Sequence, residues 1–356
     1  MSASSYRGSN SDVDTVTTTP EDQSPAPTDR APNQIPYFSR FLHDIQRETT
    51  EDWTLDLELL HHYTVTAHRS FTFWGEVHHT LQADVPRQGL KHTFLLQQIL
   101  AFSGFHLAYT QPDRRRFYTL RASQHQDRAI NEMRAALAGE VTSRNCHALY
   151  ASSIFLIISA FATFPSYEVY NSSFSALDSL IDILKLVDGI SLIMKVSEYD
   201  LREGPLKGLF AGKTGSIPTS SHLQTLIDQL LAVETCLVTE DAQQEERSTE
   251  IAKEATELLA DTIVMAHRNH SIAASLELRA AFHWPLRISD KYLDQLRRRD
   301  PIAMVVLAHY CVLLHYAETN CWFLEGWSKM TMQDIAKDLS DSSLQHLIEW
   351  PLSVLA

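Results

Sequence analysis

Apolar residues recur along most of this chain at helical spacing. Leu177, Leu180, Ile181 and Leu184 fall at i, i+3, i+4 and i+7, which puts them on one helical face. Gly189 then interrupts the pattern and is expected to kink or break the helix. Ile251, Ala255, Leu258, Leu259 and Ile263 repeat the period, with His267 and Arg268 at the end where cations suit the helix dipole. Asp300 followed by Pro301 reads as an N-cap with proline at the first helical position. Thr331 reads as the cap of a further helix whose apolar face is Met332, Ile335 and Leu339.

Two stretches are apolar nearly all round. His92 to Tyr109 carries Phe94, Leu95, Leu96, Ile99, Leu100, Phe102 and Phe105 on most sides, which predicts a helix in the middle of a bundle. Ala148 to Phe164 holds no charged residue and includes Ile154-Phe155-Leu156-Ile157-Ile158. It falls short of the roughly 20 apolar residues a membrane span needs, and it contains Ser152, Ser153, Ser159 and Thr163. It is expected to be a buried core helix. Pro301 to Ala317 reads the same way, with His309 and His315 inside it, so no membrane span is expected. Alternating runs bounded by hairpin turns are missing, and so is an internal repeat. The fold class expected is all-α, a multi-helix bundle.

The beginning of the chain has a different texture. Residues 1 to about 34 are Ser, Thr, Asp, Pro and Gln, with Pro20, Pro25, Pro27, Pro32 and Pro36 as punctuation. Such a segment has too little to bury to offset the entropy of ordering. The expected organisation is a disordered tail over residues 1–50 and a helical domain over residues 51–356.

Charge and cysteine usage narrow the function classes. The chain has 30 Lys+Arg against 44 Asp+Glu, a net charge of −14, and so lacks the basic footprint of a self-sufficient nucleic-acid binder. Its four cysteines, at 146, 236, 311 and 321, are too scattered for a disulfide scaffold, which points to a reducing compartment. No C-x2-C pair occurs, which removes zinc fingers and CxxC redox chemistry. The segment after Met1 shows no apolar run behind a basic start, so a secretory signal is not expected.

No motif here carries catalysis. Gly212-Lys213-Thr214 has the ending of a phosphate-binding loop, but Lys207 stands where its first Gly belongs, and a flexible connector is the better reading. The 17 histidines include the neighbours His61-His62, His78-His79 and His267/His270, yet H-E-x-x-H does not occur and no metal is expected. Asp178 and Asp182 lie i, i+4 without a second acidic cluster, which suits a solvated helix face better than magnesium-diphosphate chemistry. Arg114-Arg115-Arg116 and Arg297-Arg298-Arg299 sit at a helix start and a helix end and read as solvated faces. G-x-S-x-G is absent. Neither catalytic residues nor a cofactor are therefore expected.

The last third is rich in aromatics: Phe282-His283-Trp284-Pro285, Tyr310, Tyr316, Trp322-Phe323-Leu324-Glu325-Gly326-Trp327 and Trp350-Pro351. Aromatic and aliphatic side chains on several helices can line an apolar pocket. A Trp-rich core is the competing reading. The candidate ligand-binding residues are Phe282, Trp284, Tyr310, Leu313, Trp322 and Phe323.

From Leu59-Leu60-His61-His62-Tyr63 the chain resembles the regulatory domains of fungal Zn2Cys6 transcription factors of the sterol-uptake control type. The likeness continues through Val85-Pro86, His92-Thr93-Phe94-Leu95-Leu96 and Ile99 to Ala108. It takes in Tyr118, Ala122-Ser123-Gln124-His125, Asn145 to Ser159 and Leu180 to Leu192. It returns at Ala281-Phe282-His283-Trp284-Pro285, Ala303 to Leu314 and Trp322 to Trp327, and covers roughly residues 55 to 351. The resemblance implies an all-α, nuclear, transcription-regulator-like protein that binds a hydrophobic small molecule such as a sterol or isoprenoid. It also implies a homodimer, or a heterodimer with a DNA-binding regulator. Family members carry a six-cysteine DNA-binding module before this domain, whereas residues 1 to 54 contain no cysteine. Either the regulator lacks its own module or the start assigned to it is wrong; both readings set aside direct specific DNA binding by this chain. The alternative is an enzyme or carrier for a hydrophobic metabolite on the same helical scaffold.

Overall fold

Helices apolar on every side must be surrounded by other helices, and two of them organise this protein. The structure is a computed structural model, and it describes residues 53–70, 76–163, 175–210, 221–240, 246–268 and 274–356. Fourteen α-helices run through these residues, with no strand among them. The chain is all-α, a multi-helix bundle, as its periodicity predicts. The 1–50 tail, the Gly212-Lys213-Thr214 segment, Phe164 and His270 lie outside the described residues.

The first half is built around α4 (Thr93–Thr110). It packs against α1 (Trp53–Val65), α3 (Val85–Gly89), α5 (Arg115–Leu137) and α6 (Cys146–Ala162). Before α3, α2 (Glu76–His79) runs into the π-helical turn Thr80–Asp84. α4 and α5 approach closely at Gly104, where an added Cβ would lie 2.9 Å from the Ala122 Cβ on α5. Side-chain bonds tie the same elements together: Ser103 Oγ donates to the Leu59 carbonyl at 2.6 Å and Tyr63 OH to the Leu81 carbonyl at 2.8 Å.

The second half is built around α12 (Pro301–Glu318). Its neighbours are α8 (Ser221–Glu240), α9 (Glu246–Arg268), α10 (Leu276–His283), α11 (Asp290–Arg297), α13 (Trp327–Asp338) and α14 (Glu349–Leu355). By length and composition α12 could cross a membrane, but 78% of it is buried inside the protein, as a core helix is. The long helix α7 (Ala176–Glu203) joins the halves, touching α6 on one side and α11 and α13 on the other.

Several local expectations meet the structure directly. Asp300 caps α12, its Oδ1 accepting from the amides of Ile302 at 3.0 Å and Ala303 at 3.2 Å. Asp178 and Asp182 pair with Arg299 at 2.7 Å and Arg297 at 3.7 Å, so the i, i+4 aspartates and the second arginine run neutralise each other. Two expectations are corrected. Helix α7 runs through Gly189, which faces open space, and breaks its helical geometry instead at Ser197 (φ −130°, ψ 19°). Thr331 lies inside α13, which begins at Trp327 after Gly326 at φ 86°. The start of α13 is capped from another helix: the Glu318 carboxylate of α12 accepts from the Ser328 amide at 2.8 Å.

Buried polar groups are concentrated between α1, α4 and α5. Arg121 and His125 of α5 both reach the Asp56 carboxylate, the histidine at 3.1 Å. Burial pushes the Asp56 pKa up, but the bonds and charges of His125 and Arg121 outweigh it and hold the carboxyl at about 2. Nearby, His62 Nε2 and His106 Nδ1 stand 2.9 Å apart. Burial first, and the neighbouring His62 second, lower the pKa of His106 to about 4.

Two outcomes follow from this packing. Gly104→Val is expected to lower stability by about 1–3 kcal/mol through overpacking at the α4–α5 contact, and Leu100→Asp by several kcal/mol through a buried charge; thermal melts check both. Acidification acts on several buried histidines, and His106 is one of the two held lowest, with His309. Its unfolded pKa is near 6.5 and its folded pKa about 4, so the unfolded state takes up the proton first as pH falls. The stability it contributes is complete above pH 6.5 and is lost on the way down to about 4, amounting to about 3 kcal/mol. The melting temperature should fall between pH 7 and pH 5, and less steeply in His106→Gln. An unchanged slope in the variant would refute this assignment.

Candidate functional site

Helix α6 meets α4 with one face, and its other face opens onto an unfilled space. Ile154 and Ile158, four apart, line a cavity of about 490 Å³ together with Tyr150 and Phe155. That volume lies within the range of roughly 300–1,000 Å³ typical of small-molecule sites. The opposite wall comes from α7, where Val187, Ile190, Ser191, Met194 and Lys195 share one face at helical spacing. The non-helical turn at Ser197 bends α7, and Arg202, beyond the bend, still reaches the same cavity.

Further walls border it. Met265 and Ala266 come from the end of α9, while Leu278, Arg279, Phe282 and His283 come from α10. Val77, Leu81 and Val85 contribute from α2, the π turn and α3. π turns are frequent at functional sites because they displace one helical face from regular register. Here the Leu81 carbonyl is also held by Tyr63, which ties this wall to α1.

One end of the cavity is built from stacked groups. The Arg202 guanidinium lies 5.3 Å from the Phe210 ring centroid, and Phe210 stacks on Tyr150 at 5.5 Å with planes 23° apart. Arg202 also gives Nε to Glu198 at 3.0 Å, and Arg287 gives Nη1 to Asp261 at 2.7 Å. Burial pushes the Tyr150 phenol up to about 12, so it stays protonated at neutral pH. Burial also lowers the Arg279 pKa, partly offset by the Glu277 charge. Among the described residues the lining holds four Lys/Arg side chains, one histidine and no Asp, Glu or Cys. Among the described residues no three His, Cys, Asp or Glu gather to hold a metal ion. The arrangement suits binding: a partly open, largely apolar cavity with Lys195 and Arg202 exposed at its edge.

The six residues singled out from the sequence are divided by the fold. Phe282 and Phe323 line the cavity. Trp284 and Tyr310 lie against each other at 4.5 Å in the core, with Trp284 Nε1 donating to the Ala255 carbonyl at 3.0 Å and Tyr310 OH to the Ala281 carbonyl at 2.9 Å. Leu313 is fully buried in α12. Trp322 donates Nε1 to Ser70 Oγ at 3.0 Å and packs on His106 and Tyr109, at the α4 side of the protein. The α6 and α7 walls, and the cations, are what aromatic density leaves out. The spacing Ser191, Lys195 marks one face of α7 and the spacing Arg279, His283 one face of α10, but such spacing is equally common on solvated helices.

No protein-family model matches the chain. Among curated proteins, it is 23% identical over 304 residues to the Zn(2)-C6 fungal-type transcription factor afumD of Aspergillus fumigatus, covering 83% of this chain and 77% of that protein. It is 24% identical over 323 residues to a Zn(2)-C6 fungal-type transcription factor of Gibberella zeae, 84% of this chain and 61% of that one. A shorter stretch of 115 residues is 33% identical to Sterol uptake control protein 2 of Candida albicans, 32% of this chain and 15% of that protein. Over most of its length, then, the chain is similar to Zn(2)-C6 fungal-type transcription factors, in keeping with the resemblance seen in its motifs.

Proposed function

We propose that this protein is a non-catalytic transcription regulator that senses a hydrophobic small molecule in the cavity between α6, α7, α9 and α10. The observation that carries the reading is the cavity itself, partly open and largely apolar, in a chain similar to transcription factors. The likeness of one stretch to a sterol uptake control protein favours a ligand of sterol or isoprenoid size. Burial contributes about 25 cal/mol for each Å² of apolar surface, enough for micromolar affinity after the costs of association. Helix α7 lines the cavity on one face and carries exposed Val196 and Tyr199 on another. Occupancy and an outer surface therefore share one helix, through which a dimer or a DNA-binding partner can be influenced. Action is nuclear in this reading. Among the described residues the lining includes no carboxylate or thiol, which supports the non-catalytic reading over an enzyme on the same scaffold.

A bound ligand stabilises the folded state by mass action. Sterols, isoprenoids and polyketides are to be titrated against the full chain, and at least one should raise the melting temperature. Ile154→Trp, which fills the cavity from a half-buried position, should abolish the shift while the protein still folds. If no ligand shifts the melt, or the filled variant responds like the parent, the sensing role falls. Sedimentation with and without ligand reads the dimer.

Direct, sequence-selective DNA binding by these 356 residues is not expected, given the net charge of −14. A sequence-selective mobility shift at about 150 mM salt, where non-specific binding is weakened, would contradict that.

A further inference from the structure

We propose that the Tyr150 hydroxyl is the polar anchor of the cavity, and that the ligand it fits is an uncharged hydrophobe with one hydroxyl or keto oxygen at that end. This rests on the reading of the cavity as a small-molecule site and names the group that would select among hydrophobes.

Tyrosines buried in this fold direct their hydroxyls to the protein. Tyr63 donates to the Leu81 carbonyl at 2.8 Å, Tyr118 to the Glu58 carboxylate at 2.9 Å, Tyr292 to the Ala303 carbonyl at 3.0 Å and Tyr310 to the Ala281 carbonyl at 2.9 Å. Tyr150 is the exception among the described residues. It is 7% exposed and lines the cavity from α6, yet its hydroxyl makes no hydrogen bond to the protein. Nor is that oxygen sealed in like the unpartnered Ser152 Oγ and Thr331 Oγ1, so open space adjoins it. Buried polar groups are ordinarily bonded, and one left without a partner beside a cavity calls for an explanation.

The ring that carries this hydroxyl is held in place. Phe210 stacks on it at 5.5 Å, and the Arg202 guanidinium lies against Phe210 in turn. The hydroxyl therefore has a fixed position before any ligand arrives, which lowers the entropy cost of bonding to it. Burial keeps the phenol protonated at neutral pH, so it donates as an uncharged group. Ser191, on the facing α7 wall, is a second lining hydroxyl without a hydrogen bond. Helical serines elsewhere bond back to the carbonyl four residues earlier, as Ser123 and Ser153 do. While the cavity is empty, water can satisfy the Tyr150 oxygen. A hydrocarbon that displaces this water leaves the phenol without a bond, whereas a hydroxyl or ketone replaces the bond that is lost. Neither lining hydroxyl is charged, so an uncharged oxygen matches them without the cost of stripping water from an ion.

The test compares ligands of one shape with and without the oxygen. Cholestanol is set against cholestane, and hexadecanol against hexadecane, each delivered from cyclodextrin to the full chain, with affinity read from the concentration dependence of the melting temperature. The alcohol of at least one pair is expected to bind about tenfold tighter or more, since sites that bond a ligand oxygen reject the analogue lacking it. In Tyr150→Phe that preference should collapse while affinity for the hydrocarbon is kept. Without ligand, Tyr150→Phe should melt no lower than the parent, whereas Tyr292→Phe, which loses a bonded hydroxyl, should melt lower. Equal binding of alcohol and hydrocarbon, a preference that survives Tyr150→Phe, or a loss of stability in Tyr150→Phe like that in Tyr292→Phe each overturns the anchor and leaves the sensing role standing. Absence of binding by all four probes, together with no shift by any other apolar compound, overturns both.

Discussion

Helix α6 has no Asp, Glu, Lys or Arg in seventeen residues, and that single fact constrains much of the rest. A helix of this kind cannot leave a face in water without a large apolar exposure. Helix α4 covers one side, α7 covers another, and the 3₁₀ turn Trp322–Leu324 closes against it from the far half of the chain. The remaining side is lined by apolar walls that do not quite meet it. The cavity is thus a consequence of surrounding α6 with helices whose own side chains stop short.

Tryptophan and tyrosine polar tips hold those surrounding helices in place. Trp327 Nε1 donates to the Phe161 carbonyl at the end of α6, at 2.9 Å, and Tyr292 OH donates to the Ala303 carbonyl of α12 at 3.0 Å. Trp284 and Tyr310 do the same between α9, α10 and α12. A buried indole N–H or phenol without a partner costs on the order of 1–3 kcal/mol, so each ring has few placements in which its tip is satisfied. Such anchors fix helix positions more sharply than aliphatic packing, which tolerates repacking.

This explains which parts of the molecule were legible in the sequence. The periodicity of Leu177 to Leu184 and the Asp300-Pro301 cap are local signals, and the helices they predict are present. The start of α13 was not legible, because its cap is Glu318 on another helix and its entry is a glycine with positive φ. Gly189 drew the expected kink by its intrinsic freedom, yet the bend falls at buried Ser197, where tertiary packing overrides propensity. Aromatic density in the last third pointed to Phe282 and Phe323 on the cavity wall, but also to Trp284, Tyr310, Leu313 and Trp322, whose surroundings only the fold reveals. The α6 and α7 walls and the four cations were hidden for a related reason: a lysine at helical spacing looks the same on a solvated face and beside a cavity.

The cavity's composition separates two jobs that a sensor must do. Apolar walls from several elements can supply affinity to almost any hydrophobe, and they discriminate weakly between ligands of similar shape. Discrimination has to come from groups that are left unsatisfied by the wrong ligand. Among the described lining residues the polar side chains are Ser191, Tyr150, His283 and four Lys/Arg, with Arg202 and Arg287 already paired to Glu198 and Asp261. A ligand in this space would draw its affinity from the α6, α7, α9 and α10 walls, and it would be told from a hydrophobe of similar shape only where it reaches those few polar groups.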